Sequence, residues 1–439
     1  MIKRRLSLLL FLVLVFMVFA GCSQSAAATE TKPYEGIRLN VLDVSYGPTF
    51  GLKEYIGEFE EMTGIKVNFE VEVYAALLTK KEVELSAGSD AYDVIHIDIS
   101  TVHRYVNAGW MENLAPYIEA SPEFEYGDVI PSAAELFQLN GVVCAVPVTY
   151  ETFVNFYRRD IFEELGLTPP TTPEELLDVC EAIKASGKDI YPISMVSRQG
   201  QGANTHRWGY MLYAFNGGYY NDDRTALILN SPETVNSVKY FAKLVQEYSP
   251  PGGVDFAYND ALTEFAQGKA AMFLDSTTAA SVFQDPEFSS VVDKWDVVRI
   301  FSSLDKKYLF LSSHGIGINA FSKQKEAAWE YVKWYTGKEM QRKLGEEVGF
   351  PGVVRNSARA SDIYVSKVGP NRWIEVFNES AKFVRDDYRL LFLTEWPYIG
   401  YTIGVALQNV FIGADAQTTF DALQKEMTAF FEQNGYLKK

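Results

Sequence analysis

The strongest constraint on the fold is the regular order of strand-like and helix-like segments that begins near residue 37. Residues 39–44 are mostly apolar, as in a buried strand, and residues 65–73 alternate between apolar and polar side chains, as in a half-buried strand. Each is followed by a helical pattern that ends at a glycine, Gly64 or Gly88, and a third strand-like run covers residues 93–97. This order favours an α/β fold in which helices cover a doubly wound sheet.

The middle of the chain shows the same kinds of element. Thr172-Pro173-Glu174-Glu175 combines an N-cap residue, a proline at the first helical position and a glutamate at the third, and Ser231-Pro232 begins another helix. No repeat of 20 to 50 residues is visible. The chain is therefore predicted to be α/β beyond its first segment.

The first 21 residues are typical of a secretory signal peptide. Basic residues at positions 3–5 precede an apolar stretch, Leu6 to Ala20, which is shorter than the roughly 20 residues that span a bilayer. The end of this stretch, Ala20-Gly21-Cys22, resembles the lipobox of bacterial lipoproteins, which implies lipid attachment at Cys22. Residues 22–36 then form a flexible tether. The alternatives are an ordinary signal peptide cleaved a few residues later and a transmembrane anchor.

Charge and cysteine content exclude several classes of function. The chain has 57 acidic and 40 basic residues, a formal net charge of -17, and no basic run after residue 5, which argues against nucleic acid as a partner. Apart from Cys22, the only cysteines are Cys144 and Cys180. Both lie in apolar patterns, so we expect packing residues and no essential disulfide.

No pattern indicates catalysis, a metal or a cofactor. The sequence has no glycine-rich phosphate loop, no nucleophile elbow and no His-Glu-x-x-His motif, and its four histidines are scattered. Asp98 and Glu151 are a possible carboxylate pair, but acidic residues are so numerous that such a pair is no argument for a glycosidase. We therefore expect no catalytic residue, no metal ligand and no cofactor.

Five segments in order resemble the extracellular solute-binding proteins of ABC importers, in particular the sugar-binding group called family 1. The densest match runs from Val146-Pro147 to Leu176 and includes Tyr157-Arg158-Arg159-Asp160-Ile161-Phe162. The remaining matches are Phe59-Glu60-Glu61-Met62-Thr63-Gly64-Ile65-Lys66-Val67, Tyr92-Asp93-Val94-Ile95 with Gly109-Trp110-Met111-Glu112-Asn113-Leu114, residues 265–272 and residues 322–329.

Within this family the chain is most similar to polyol-binding proteins of the sorbitol and mannitol type. Glu151, Arg198, Asp275 with the residues up to Ala280, and residues 397–400 stand at positions typical of that group. One departure is clear, because residues 311–315 read Leu-Ser-Ser-His-Gly where a Trp-rich segment is expected. This removes a stacking aromatic and leaves the exact ligand open.

The resemblance implies a two-lobed periplasmic-binding-protein-like fold, with a doubly wound sheet in each lobe and the ligand in the cleft between them. We expect a first lobe at 37–146 plus 309–350, a second at 147–308 plus 351–439, and hinges near Pro147, Leu309 and Pro351. The implied protein is a monomeric, extracytoplasmic, lipid-anchored receptor that captures a carbohydrate by closure of the cleft. It delivers the carbohydrate to the transmembrane subunits of an ABC permease.

The resemblance and the placement of polar and aromatic residues give a predicted ligand site, in which Arg198, Trp208 and Asp275 should converge. Each has a simpler interpretation: Arg198 as a solvated loop charge, Trp208 as a core residue, and Asp275 as the N-cap of the segment after it. The full predicted set is Tyr46, Asp98, Tyr150, Glu151, Arg198, His206, Trp208, Asp275, Ser313, His314 and Trp396.

Two other functions stay open at this point. One is a carbohydrate-active or peptidase lipoprotein, against which the missing nucleophile and metal motifs weigh. The other is a sensory protein that presents its ligand to a membrane receptor, which would use the same closed cleft.

Overall fold

The computed structural model describes residues 32–200, 202–300, 311–368, 372–380 and 390–438. The predicted signal peptide, Cys22, nearly all of the tether and the predicted hinge at Leu309 lie outside the described residues. Within these ranges, no helix combines the length and the apolar character needed to cross a membrane.

Eleven strands in the described ranges form two main sheets and a short hairpin. The order is β2-β1-β3-β11-β6 in a five-stranded sheet, β10-β7-β9-β8 in a four-stranded sheet, and β4 with β5 in the hairpin. The strands are β1 Arg38–Val44, β2 Lys66–Glu72, β3 Val94–Asp98, β4 Gln138–Leu139, β5 Val142–Val143, β6 Val146–Pro147, β7 Phe153–Arg158, β8 Tyr191–Ser194, β9 Ala270–Ser276, β10 Trp295–Arg299 and β11 His314–Ile318.

Helices connect and cover these strands. The α-helices are Gly47–Thr63, Tyr74–Ser86, Val102–Asn107, Ala115–Glu119, Pro131–Ala134, Arg159–Leu165, Pro173–Ala185, Asn204–Ala214, Pro232–Lys243, Tyr258–Ala266, Ala280–Phe283, Lys325–Thr336, Lys338–Glu346, Asn356–Arg359, Asp362–Val368, Trp373–Ser380, Trp396–Phe411 and Ala416–Asn434. Single 3-10 turns cover Pro122–Phe124, Tyr126–Asp128, Glu135–Phe137, Gly253–Asp255 and Thr277–Ala279, and a π-helical turn covers Leu244–Tyr248.

The first sheet has the doubly wound order that its sequence predicts. Strands β1, β2 and β3 are parallel, with β1 between the other two, and β11 returns from late in the chain to pair antiparallel with β3. His314 is paired with Asp98 in this register. The carboxyl ends of β1 and β3 therefore meet the start of β11 at one edge of the sheet.

The second sheet has β7 near its centre. Every residue of β7 and β9 is buried, because helices cover both faces. Strand β7 is antiparallel to β9, and Phe153 pairs with Ser276, the last residue of β9. The two α/β units confirm the predicted two-lobed fold.

Local predictions of helix starts and of cysteine packing agree with the structure. Thr172 caps its helix by accepting from the backbone N–H of Glu175 at 3.1 Å, and Ser231 accepts from Thr234 at 3.3 Å. Cys144 and Cys180 are buried, unbridged and in different hydrophobic clusters. Burial raises the pKa of the Cys144 thiol to about 12, so it packs as an apolar group.

Candidate functional site

Glu151 connects the two sheets. It lies between β6 and β7, and its backbone exchanges two hydrogen bonds with Ser312, of 2.9 and 2.8 Å. Its buried Oε1 is 3.0 Å from Nε2 of His314, at the start of β11, and its Oε2 accepts from the hydroxyl of Ser276, at the end of β9. Burial acts to raise the pKa of Glu151, but the hydrogen bonds from His314 and Ser276 outweigh it and lower the pKa, so the carboxylate stays ionised.

A second histidine, His96, contacts the ring of His314. His96, in β3, has its Nε2 atom 2.9 Å from Nδ1 of His314, and the rings are tilted by 34° with centroids 4.9 Å apart. Tyr46 packs edge-on against both rings. Burial, followed by the neighbouring His314 and Lys81, lowers the pKa of His96 well below its ordinary value, so this ring is neutral. Glu151, His314 and His96 thus form one continuous chain of contacts.

A fully buried lysine, Lys81, compensates the negative charge of Asp98. Nζ of Lys81 lies 3.2 Å from Oδ2 of Asp98 and donates to the carbonyl of His96 at 3.1 Å. Asp98 also accepts from the backbone N–H of Ser100 at 3.0 Å and from its hydroxyl. Burial would raise the pKa of Asp98, but Lys81, His96 and Ser100 together hold it below its ordinary value. Asp98 is therefore a carboxylate whose charge is already compensated.

Asp275 is compensated in the same way by Arg207. Both side chains are nearly or fully buried, and Nε and Nη2 of Arg207 donate to the two carboxylate oxygens at 2.8 and 2.7 Å. Nη1 donates to the carbonyl of Gly202 at 2.6 Å, and the guanidinium lies over the ring of Phe153. The interpretation of Asp275 as an N-cap is wrong, because the hydroxyl of Ser276 accepts from Thr278 and caps the following turn.

Arg198 and Trp208 do not converge with Asp275 in this structure. Arg198 is about half exposed and pairs with Asp255, at 3.2 and 3.3 Å. Trp208 is fully buried and donates from Nε1 to Ser237 at 2.8 Å. Because Arg207 and Trp208 are successive residues of one helix, their side chains point about 100° apart. Arg207 faces Asp275, so Trp208 faces the core, as its simpler interpretation holds.

The remaining predicted site residues, Trp396, Tyr150, Ser313 and His206, have different surroundings. Trp396 is fully buried in the same hydrophobic cluster as Trp208. Tyr150 contacts the hydroxyl of Ser132 at 2.9 Å, and Ser313 donates to the carbonyl of Thr149 beside Glu151. His206 lies against Phe153, with ring centroids 4.8 Å apart. Of the predicted set, the structure brings Tyr46, Asp98, Glu151, Ser313 and His314 into one region. Asp275 adjoins it through Ser276.

The two lobes touch at this region through two glycines. A Cβ on Gly47, at the start of a first-lobe helix, would lie 2.9 Å from Oγ of Ser281 in the second lobe. A Cβ on Gly202, in the second lobe, would clash with the ring of Tyr74 in the first. At both positions a Cβ would come too near the other lobe, so the two lobes are in direct contact here, and we call this contact the closed arrangement.

Four residues of the site were missed by the sequence analysis: Lys81, His96, Arg207 and Ser276. The burial of Lys81 could have been predicted from the sequence. Leu77, Lys81 and Leu85 follow one another at intervals of four, and they are the buried residues of their helix. A lysine in such a stripe needs a buried partner. In the described part of the chain, no group of three or more His, Cys, Asp or Glu is placed to hold a metal ion.

Comparison with known proteins identifies the family. Residues 50–342 match the family described as bacterial extracellular solute-binding protein, and the chain belongs to this family. It is 24% identical over 342 residues to a mannitol-binding protein of Pseudomonas aeruginosa, with 77% of each chain covered. It is also 24% identical over 433 residues to an erythritol/L-threitol-binding protein of Mycolicibacterium smegmatis, with 93% of this chain and 89% of that protein covered.

Solved structures agree with this membership. An ABC transporter solute-binding protein of Agrobacterium radiobacter K84 in complex with ribitol has a TM-score of 0.83, 26% identity, and coverage of 91% of this chain and 100% of that chain. One from Agrobacterium vitis S4 with bound D-mannitol has the same TM-score and coverage at 22% identity. The chain is thus an extracytoplasmic solute-binding protein of the ABC transporter type, and its relatives are binding proteins rather than enzymes.

Proposed function

We propose that this protein binds a neutral, unbranched polyol between its two lobes and delivers it to the permease of an ABC importer. The observation that carries this proposal is the position of Glu151, which accepts one hydrogen bond from each side of the interface. A carboxylate has about four acceptor positions, so two remain for hydroxyl groups of a ligand. Contacts to both lobes are what a ligand needs in order to favour the closed state.

The charge balance of the site favours a ligand without charge. Lys81 is paired with Asp98 and Arg207 with Asp275, so neither cation is available to a carboxylate or phosphate group. An anionic ligand would also be repelled by Glu151. Hydroxyl groups donate and accept, and hydrogen bonds to charged partners are worth about 1.5–3 kcal/mol each. A polyol supplies several of them.

The relatives support the same ligand class. The ligands of the proteins named above are mannitol, erythritol or L-threitol, and ribitol, all of which are unbranched polyols. Glu151 and Asp275 are the two positions of the polyol-type resemblance that adjoin the contact region between the lobes. We extend the polyol assignment to this chain on these two grounds.

The proposed lobes are residues 37–146 plus 309–350 and residues 147–308 plus 351–439. In support, four strands of the five-stranded sheet fall wholly within the first lobe, while β6 straddles the boundary at Pro147. All strands of the four-stranded sheet fall within the second. The backbone N–H of Tyr150 donates to the carbonyl of Gly352 at 2.9 Å. The segments at the proposed hinges near Pro147 and Pro351 therefore lie side by side. Lipid attachment at Cys22 and action as a monomer complete the proposal.

A thermal-shift screen of polyols, monosaccharides and oligosaccharides tests this function. Ligand at 100 times its dissociation constant stabilises the folded protein by about 2.7 kcal/mol, which raises the melting temperature by several degrees. We expect hits among four- to six-carbon polyols, and mass spectrometry of the recovered ligand should show no conversion. A screen without a polyol hit, or a hit that is chemically altered, contradicts the proposal.

A further inference from the structure

Two lines of contacts start at the carboxylate of Glu151, one in each lobe. In the first lobe, Nε2 of His314 lies 3.0 Å from Oε1 of Glu151, and the ring of His314 packs against the ring of Tyr46 with centroids 5.3 Å apart. Tyr46 belongs to a small hydrophobic cluster against which the side chain of Tyr74 packs. The first line of contacts therefore runs from the carboxylate to Tyr74.

The second line of contacts lies in the second lobe. Oε2 of Glu151 accepts a hydrogen bond from the hydroxyl of Ser276, the residue after Asp275 in β9. Arg207 donates to both carboxylate oxygens of Asp275, at 2.8 and 2.7 Å, and its Nη1 atom donates to the carbonyl of Gly202 at 2.6 Å. This line therefore runs from the same carboxylate to Gly202.

The two lines meet where Tyr74 touches Gly202. A Cβ on Gly202 would overlap Cε1 of the Tyr74 ring and would lie 3.0 Å from its Cζ atom. Carbon atoms that are not bonded to each other stay about 3.5–4.0 Å apart, so the backbone of Gly202 itself lies against the ring. The contacts thus form a continuous circle, with Glu151 on one side and the contact between Tyr74 and Gly202 on the other.

The other contact between the lobes, at Gly47, lies on the opposite side of the end of β1. The helix that starts at Gly47 shares a hydrophobic cluster with Val41 of β1. The helix that starts at Tyr74 shares a different cluster with Leu42, the next residue of the strand. Successive side chains of a strand point to opposite faces of the sheet, so the two helices cover opposite faces. The lobes therefore touch on both sides of the site.

We propose that Tyr74 is a specificity-determining residue that limits the length of the ligand. Its ring, closed onto Gly202, ends the cleft, so that only a ligand wholly enclosed between the lobes can bind. A single polyol unit meets this condition. A polyol that carries a glycosyl unit would force the contact between Tyr74 and Gly202 to open, and a steric clash of this kind excludes a ligand without any change in the contacts to the accepted one. The inference rests on the proposed function, because it concerns the same site.

The exposure of the residues in the circle supports this role for Tyr74. Glu151 and Asp275 are buried, whereas Tyr74 is half-buried and its neighbour Val73 is exposed. The Tyr74 ring therefore lies at the boundary between the site and solvent. At the other contact, a Cβ on Gly47 would lie 3.5 Å from the backbone carbonyl oxygen of Thr278. That side is closed by main chain, so Tyr74 is the side chain whose removal opens the site.

Calorimetric titration with a matched pair of ligands tests the proposal. The pair is D-mannitol and glucosyl-mannitol, which is D-mannitol with one glucosyl unit on a terminal hydroxyl. The wild type should bind D-mannitol at least about 100-fold more tightly than glucosyl-mannitol, and Tyr74→Ala should reduce this ratio at least about tenfold. The ratio is the decisive quantity, because an effect of the substitution on closure of the lobes weakens the binding of both ligands alike.

Two further variants separate the effect of the ring from unspecific effects. Tyr74→Phe keeps the ring and should keep the wild-type ratio. Tyr191→Ala removes an exposed tyrosine that is paired with Ala270, at the end of the second sheet opposite to Ser276, and should also keep it.

The possible results separate this proposal from the proposed function. Similar affinities of the wild type for D-mannitol and glucosyl-mannitol, or an unchanged ratio in a correctly folded Tyr74→Ala, overturn the role of Tyr74 while the polyol function stands. If the wild type binds D-glucose and no polyol, the proposed function fails. The same variants titrated with D-glucose and maltose then decide the role of Tyr74, which predicts that only Tyr74→Ala gains binding of maltose relative to D-glucose.

Discussion

Arg207 holds both carboxylate oxygens of Asp275, at 2.8 and 2.7 Å, inside the second lobe. The role of Asp275 therefore differs from the predicted one. Its carboxylate compensates the charge of a buried guanidinium, so it is not an unpaired acceptor for a ligand. The pair also fixes Gly202 through the third contact of Arg207, and Gly202 touches the first lobe. Stability of the second lobe and closure of the cleft therefore depend on the same side chain.

Asp275→Asn should lower the free energy of unfolding by about 3–5 kcal/mol, because it leaves the Arg207 charge buried and uncompensated. Urea unfolding measures this. The matched control is Asp255→Asn, which breaks the exposed pair with Arg198 and should cost no more than about 1 kcal/mol. Equal, small effects of the two substitutions would show that the buried pair is not formed as described.

Gly202→Ala should weaken binding of D-mannitol without lowering the melting temperature of the ligand-free protein. The added Cβ meets the Tyr74 ring only when the lobes are closed, so it penalises the closed state alone. The control is Gly127→Ala, an exposed position where a Cβ meets nothing within 4 Å. An unchanged affinity in Gly202→Ala would mean that the ligand-bound protein does not adopt this closed arrangement.

Asp43→Asn should become more stable than the wild type as the pH is raised. The folded-state pKa of Asp43 is raised to about 7 from an ordinary 3.8. Its contribution to stability is therefore fully present below about pH 4 and is lost as the pH rises through about 7. Between pH 5 and 8 the difference in unfolding free energy between variant and wild type should shift by about 2–3 kcal/mol in favour of the variant. A difference that does not change with pH would contradict the burial of an ionisable Asp43.

Cys22→Ser should release the protein from the membrane fraction. The basis is the sequence Ala20-Gly21-Cys22 directly after the apolar stretch, which resembles a lipobox. Cell fractionation with immunodetection measures the distribution. Ser23→Ala is the control, since it leaves the cysteine in place and should keep the wild-type distribution. A Cys22→Ser protein that stays membrane-bound would show that the cysteine is not the anchor.

The fold was predictable from sequence because its signals are local. The expected strands at 39–44, 65–73 and 93–97 correspond to Arg38–Val44, Lys66–Glu72 and Val94–Asp98, within one residue at each end. Apolar periodicity and glycine stops determine such elements directly. The order of motifs then supplied the two-lobed architecture, which the comparisons confirm.

The site was only partly predictable because its contacts join distant parts of the chain. Glu151 and Ser276 are 125 residues apart, and His96 and His314 are 218 residues apart. No local sequence pattern predicts contacts between residues so far apart in the chain. Trp208 shows the opposite difficulty, because an aromatic residue beside polar ones resembles a ligand platform in sequence, although its helix turns it into the core.

Calorimetric titration with ribitol and D-mannitol tests the central claim most directly, with wild-type protein, Glu151→Gln and the exposed control Glu287→Gln. The account predicts saturable one-to-one binding of at least one polyol by the wild type and by Glu287→Gln. In Glu151→Gln, loss of a charged acceptor facing both lobes should weaken the affinity by at least about tenfold. Absence of polyol binding in the wild type, or full affinity in a correctly folded Glu151→Gln, would contradict it.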